Sequence, residues 1–193
     1  LILSEIMIEA IIFDFGDVFL DLKKDAIDAE FRKLGLTAWH DDLDALNKLY
    51  EIGKIDEFEF MQGFQKYLPN AELNDIRTAW NSILGDFPLY RLEFLQMIAT
   101  KYRLFLLSNT DHTHIEKFEH TEGQTFARDF YSCFEKVYFS YEIGMRKPDE
   151  NVFKYVINNH NLNPKTTLFV DDSKHNTAIA KELGLQVWTL QPG

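Results

Sequence analysis

Apolar positions follow two rhythms along this chain. Five short runs are continuously apolar and rich in branched or aromatic side chains: Ala10–Asp14, Arg103–Ser108, Lys136–Ser140, Thr167–Asp171 and Gln186–Leu190. Strands with one wet face alternate polar and apolar residues. Runs without that alternation are covered on both faces, as in a parallel sheet. Between the runs the spacing turns helical. Leu92, Leu95 and Ile98–Ala99 mark a helix over Leu89–Lys101. Val152, Phe153, Val156 and Ile157 mark another over Asp149–Asn161, which begins just after Pro148. Asn176–Leu183 reads as a third, closed by Gly184. Strands alternating with helices predict an α/β fold built on a doubly wound parallel sheet.

One stretch departs from this alternation. Asp21–Phe87 holds no convincing strand but several amphipathic segments, over Lys24–Leu34, Leu43–Tyr50, Glu57–Tyr67 and Ala71–Leu84. It is expected to form a helical cap inserted after the first strand, with residues 7–20 and 88–193 forming the α/β core. No long linker joins the two, so short hinges are expected near Leu20–Leu22 and Asp86–Leu89. Residues 1–6, ahead of Met7, read as an extension.

Composition narrows the function. Hydrophobic residues make up 46% of the chain, enough for a sizeable core. The 20 basic and 31 acidic residues give a net charge of -11, with no basic cluster. That balance speaks against nucleic acid or an anionic membrane as partner. Any anionic substrate would need a local cation. The single cysteine, Cys133, excludes an internal disulfide and fits a reducing, cytoplasmic setting. No segment approaches the roughly 20 apolar residues of a membrane span, and no signal peptide is expected, since no basic stretch precedes an apolar one. Nothing in the sequence demands an oligomer, and a monomer is expected.

The chemistry gathers at the strand ends. In open parallel sheets, ligands bind beyond the carboxyl ends of the strands. The first strand delivers Asp14 there, the second Ser108 and Asn109, and the fourth Asp171 and Asp172. The third runs into the loop Gly144-Met145-Arg146-Lys147-Pro148. These residue types suit phosphoryl transfer. A carboxylate can attack phosphorus and divide one difficult step into two. Mg²⁺, held by Asp172 with Asp171 beside it, would offset the repulsion between carboxylate and phosphate. Lys147 would neutralise phosphate oxygens, and Ser108 would donate a hydrogen bond to them.

These four motifs, in order, resemble those of the haloacid dehalogenase superfamily, in the subgroup with a helical cap after the first motif. They are Asp14-Phe15-Gly16-Asp17-Val18, Ser108-Asn109-Thr110, Lys147 in GMRKPD, and Asp171-Asp172-Ser173. Ser108–Leu190 is similar in more detail to bacterial sugar-phosphate phosphatases, α-D-glucose-1-phosphate phosphatases in particular. The resemblance implies a Mg²⁺-dependent phosphatase of a small phosphorylated metabolite. Asp14 would be the nucleophile and a metal ligand, the Gly16 carbonyl would also bind the metal, and Asn109 would join the substrate-binding set.

One position departs from the pattern. Phosphatases of the family usually carry a second aspartate two residues after the nucleophile, as general acid and base, and here that residue is Gly16. General acid-base help is worth roughly 10²–10⁴-fold in rate. An anomeric phosphate, with its less basic leaving oxygen, would tolerate the loss best. The same glycine keeps two alternatives open: a dehalogenase, which protonates no leaving group, and a catalytically weak phosphometabolite-binding protein. Asp17 lies one residue out of phase and reads as a turn residue. His112 and His114 read as structural, Arg146 as an ion-pair partner, and Phe19, Tyr50 and Trp80 as core.

Overall fold

A computed structural model describes residues 7–191, and the extension expected at residues 1–6 lies outside them. The chain is α/β. Strands β1 (Ala10–Phe13), β2 (Arg103–Ser108), β3 (Lys136–Phe139), β4 (Thr167–Asp171) and β5 (Gln186–Thr189) form one sheet in the order β3-β2-β1-β4-β5. Every pairing is parallel, and Ala10 aligns with both Arg103 and Thr167. The chain winds one way from β1 to β3 and the other way from β4 to β5. The switch point therefore falls at the end of β1.

The continuous apolar runs have the predicted cause. Ile11 and Phe13 face one core with Leu104, Leu106, Leu95 and Phe130. Ala10 and Ile12 face the other with Phe105, Leu107, Phe153 and Phe169. Successive side chains on a strand point to opposite faces, so burial on both sides requires apolar residues at every position. Helices α5 (Leu89–Ala99), α9 (Glu150–Asn159) and α10 (Lys174–Glu182) are among those that supply these layers.

The segment after β1 is helical, as expected. It contains α1 (Lys24–Lys33), α2 (Asp41–Glu51), α3 (Glu57–Gln65) and α4 (Leu73–Asn81). They enclose a third core around Phe31, Phe60, Phe64 and Ile76. Asp56 and Glu59 set the start of α3 with a reciprocal capping box. The two connections to this segment lie side by side and are hydrogen-bonded. The Asp21 amide donates to the Asp86 carbonyl at 3.0 Å, Gly85 to Asp21 at 2.8 Å, and Lys23 to Ile83 at 2.7 Å. A Cβ on Gly85 would lie 2.6 Å from the Asp21 carbonyl oxygen, so only glycine permits this approach.

Two helices escape the sequence reading: α6 (His112–Glu122) and α7 (Gln124–Tyr131). Gly123, at φ 90°, divides one polar-rich stretch into two pieces whose apolar residues are too few to stand out separately. The third strand ends at Phe139, one residue early, because Ser140 opens the short helix α8 (Ser140–Ile143). Among the described residues, no helix is long and apolar enough to cross a membrane.

Phe130 of α7 lies at the centre of an aromatic cluster, 5.1–5.4 Å from the rings of Phe15, Phe19, Phe87 and Phe134. Phe130→Ala should lower unfolding stability by about 3–5 kcal/mol, measured by urea denaturation at unchanged m-value.

Candidate active site

Each motif reaches the carboxyl edge of the sheet through its own local structure. Asp14 follows β1 directly, with its amide bonded to the Val170 carbonyl at 2.9 Å. The chain then turns sharply. The Phe15 carbonyl accepts from the amides of Val18, Phe19 and Leu20, and Asp17 takes a left-handed backbone at φ 55°. Asp17 is a turn residue: its carboxylate accepts from the Leu22 amide at 2.9 Å and from Lys24 Nζ at 2.7 Å. Among the described residues no backbone amide is bonded to the Gly16 carbonyl.

Lys147 is the centre of the site. It is 1% exposed, and its ammonium lies 2.7 Å from Asp14 Oδ1 and 2.7 Å from Asp171 Oδ2. Its backbone is fixed as firmly. The Asn109 side chain donates to the Lys147 carbonyl at 2.7 Å and accepts from the Lys147 amide at 2.8 Å. Asn109, expected to contact substrate, therefore clamps the lysine loop. Asp171, expected beside the metal, is wholly buried and bonded on both oxygens. Besides Lys147, it accepts from the Ser173 amide at 2.8 Å and from Asn176 Nδ2 at 3.0 and 3.2 Å. Its principal contact is with the lysine.

The charges do not balance without a further cation. Asp14, Asp171 and Asp172 each offer an oxygen within 4.8 Å of the others. Burial, reinforced by the charge of Asp171, pushes Asp14 up to about 6 against the pull of Lys147. Burial and the same neighbour raise Asp172. Lys147 stays above its usual value because the two carboxylates outweigh the cost of burying it. Asp14, Asp172 and the Gly16 carbonyl are hard oxygen donors with lone pairs to spare, and they suit a small divalent cation. Lys24, which the sequence reading missed, also faces this group at 3.8 Å from Asp172. Nothing in a helical segment marks one lysine as reaching the strand ends.

A cavity of about 190 Å³ adjoins these residues, lined on the sheet side by Gly16, Ser108 and Asn109 and on the helical side by Asn47, Glu51 and Trp80. Ser108 is buried at its floor. Gly16 matters here through what stands beside it. A Cβ at this position would lie 2.8 Å from Leu22 Cδ1, so a side chain at residue 16 would require the tip of Leu22 to move.

Other residues singled out in the sequence hold the helical segment to the sheet. Arg146 Nε bonds Glu51 Oε2 at 2.8 Å. Trp80 Nε1 donates to Asp111 Oδ2 at 3.1 Å, and Tyr50 Oη lies 2.5 Å from Thr113 Oγ1. Phe19 is buried core. His114 stacks on Trp80 with ring centroids 5.0 Å apart. Its Nδ1 faces Asp111 Oδ2 at 3.1 Å and its Nε2 faces the Trp80 carbonyl at 3.1 Å. Both ring nitrogens thus meet acceptors, which an imidazolium satisfies. His112 stays at the edge of this group, near Tyr141.

Comparisons with known proteins give the family and its relatives. Residues 8–184 match the haloacid dehalogenase-like hydrolase family. The chain belongs to that family. It is 31% identical to the D-ribitol-5-phosphate phosphatase of Bacteroides thetaiotaomicron, over 96% of this chain and 92% of that protein. Among solved structures, a haloacid dehalogenase-family enzyme of Bacteroides thetaiotaomicron in complex with magnesium and inorganic phosphate superposes with a TM-score of 0.82. It is 32% identical and 96% of each chain is covered. A hydrolase of this type from Porphyromonas gingivalis superposes equally well (TM-score 0.82, 27% identity, 97% of this chain and 93% of that one). The narrower likeness to glucose-1-phosphate phosphatases rests on the motifs from Ser108 to Leu190 alone.

The pair of Asp111 and His114 has a pH signature. Burial opposes both charges, but their mutual attraction and hydrogen bonds prevail, holding Asp111 below and His114 above their ordinary values. The contribution of Asp111 is complete above the ordinary carboxylate pKa of about 4, and that of His114 below the ordinary imidazole pKa of about 6.5. Stability from the pair should fall as pH drops through the Asp111 value and as it rises through the His114 value. His114→Gln should remove the alkaline-side loss and cost about 3 kcal/mol near pH 6, read from urea unfolding at pH 6 and pH 9.

Proposed function

We propose that this protein is a Mg²⁺-dependent phosphomonoesterase acting on a sugar or sugar-alcohol phosphate through an aspartyl-phosphate on Asp14. The observation that carries this reading is the Lys147 ammonium held between Asp14 and Asp171, with Asp172 beside them at the sheet's switch point. The named activity of the Bacteroides thetaiotaomicron relative and the magnesium and phosphate bound to the solved enzyme support it. That relative's substrate carries its phosphate on a primary carbon. The proposal therefore extends beyond anomeric phosphates.

In this reading, Asp14 Oδ attacks phosphorus in line with the ester oxygen. The phosphorus–ester bond breaks, and the alcohol leaves after taking a proton from water. A water molecule then attacks the phosphorus of the aspartyl-phosphate, releasing phosphate and restoring the carboxylate. Lys147 Nζ, Ser108 Oγ and the Mg²⁺ ligands Asp14, Gly16 and Asp172 surround the transferring group. Bound Mg²⁺ would supply charge neutralisation between nucleophile and phosphate. Asp171 and Asn109 hold Lys147 in place. Residues 21–87 act as a cap over the core formed by residues 7–20 and 88–193. They close over the substrate through the paired connections at Asp21–Lys23 and Ile83–Asp86, excluding water from the site.

Asp14→Asn should reduce hydrolysis of p-nitrophenyl phosphate to background while leaving the fold intact by circular dichroism. Activity retained in that variant would remove Asp14 from the nucleophile role. Treatment with EDTA should abolish turnover, and excess Mg²⁺ should restore it. Phosphate-ester turnover indifferent to EDTA would remove the metal from the mechanism.

A further inference from the structure

The cavity beside Gly16 and Ser108 has a polar wall whose hydrogen-bonding capacity is not used within the protein. Asn47 and Glu51 lie one helical turn apart on α2, so their side chains share a face. Both line the cavity. The Asn47 Oδ1 atom is buried and has no hydrogen-bond partner. A buried acceptor left in that state costs roughly 1–3 kcal/mol. Glu51 is bonded through Oε2 to Arg146, which leaves its second oxygen available to the cavity. Apolar Leu22, Ile83 and Ile115 share the rest of the lining with polar Thr110 and His114 and with Ser108 and Asn109 at the sheet.

We infer that Asn47 and Glu51 determine specificity by accepting hydrogen bonds from hydroxyl groups of the substrate's organic part. This rests on the phosphatase reading above and adds the residues that choose among phosphate esters. Two oxygen acceptors require donors, and hydroxyls supply them without a charge. The cavity, at about 190 Å³, has room for a small organic group beside Gly16 and Ser108. A site that hydrogen-bonds a substrate hydroxyl discriminates strongly against analogues lacking it, since its own buried groups are then left unpaired.

The test separates this inference from the phosphatase reading by measuring binding rather than turnover. In an Asp14→Asn background with Mg²⁺, titration calorimetry compares ribitol 5-phosphate with n-pentyl phosphate, which has the same chain without hydroxyls. The ribitol ester should bind at least about tenfold more tightly. Adding Asn47→Leu, which keeps the volume and removes the acceptor, should reduce that preference about tenfold while inorganic phosphate affinity persists. If the leucine variant does not fold, Asn47→Ala supplies the same comparison. Equal affinity for the two esters, no binding of either, or a preference that survives both Asn47 variants would overturn the inference. Absence of p-nitrophenyl phosphate hydrolysis by the unaltered protein would instead count against the phosphatase reading, and the binding preference would still decide the role of Asn47.

Discussion

Lys147 carries a positive charge into a place that almost no water reaches. Taking an ammonium out of water costs several kcal/mol even after the protein relaxes. Here the cost is met by two carboxylates at 2.7 Å, one from the end of β1 and one from the end of β4. The lysine comes from the loop after β3, and its peptide groups are held by Asn109 from the end of β2. One side chain thus ties together the carboxyl ends of four parallel strands. Removing either carboxylate would weaken the offset to a buried charge. Removing the lysine would bring Asp14 and Asp171 into unrelieved repulsion. The same constraint fixes the position of the Asp14 carboxylate at the end of β1.

The lysine only partly offsets the surrounding acids. Asp14 and Asp172 are both raised by burial and by Asp171, so the site favours an added cation. An acidic protein with a net charge of -11 can hold an anionic ester only where such a cation is available. Charge on the whole surface and charge in the site therefore point the same way.

The helical segment is attached by discrete polar contacts as well as by packing. Arg146 reaches Glu51 from the lysine loop, and Asp111 with His114 holds Trp80 from the start of α6. The loop that carries Lys147 is thereby bonded to the helix that carries Asn47 and Glu51. A shift of α2 would be felt at the lysine loop through the bond between Glu51 and Arg146. The hydrogen-bonded pair of connections restricts how that shift can occur, because both must move together.

How much of this was visible in the sequence follows from the range of each interaction. The five strands were readable because burial on both faces demands apolar residues at every position, and that demand is written in consecutive letters. Asp14, Ser108 and Asp171-Asp172 were readable because each ends a strand, where a polar group breaks an apolar run, and Lys147 because its loop follows the third strand just before Pro148. The bonds that Asn109 and Asp171 make to Lys147 were not readable, because their partner lies 38 and 24 residues away. Lys24, Asn47 and Glu51 were also missed, since on a helix surface one polar residue resembles another until the facing element is known, and Leu22 was missed because nothing in its connection marks what it packs against. By itself the sequence determined the fold class, the helical insertion and the set of reactive groups, all of which follow from local pattern. Only the tertiary structure decided which of those groups meet, what fills the space beside Gly16, and which acceptors line the cavity. Those depend on contacts between distant segments, and local pattern carries no record of them.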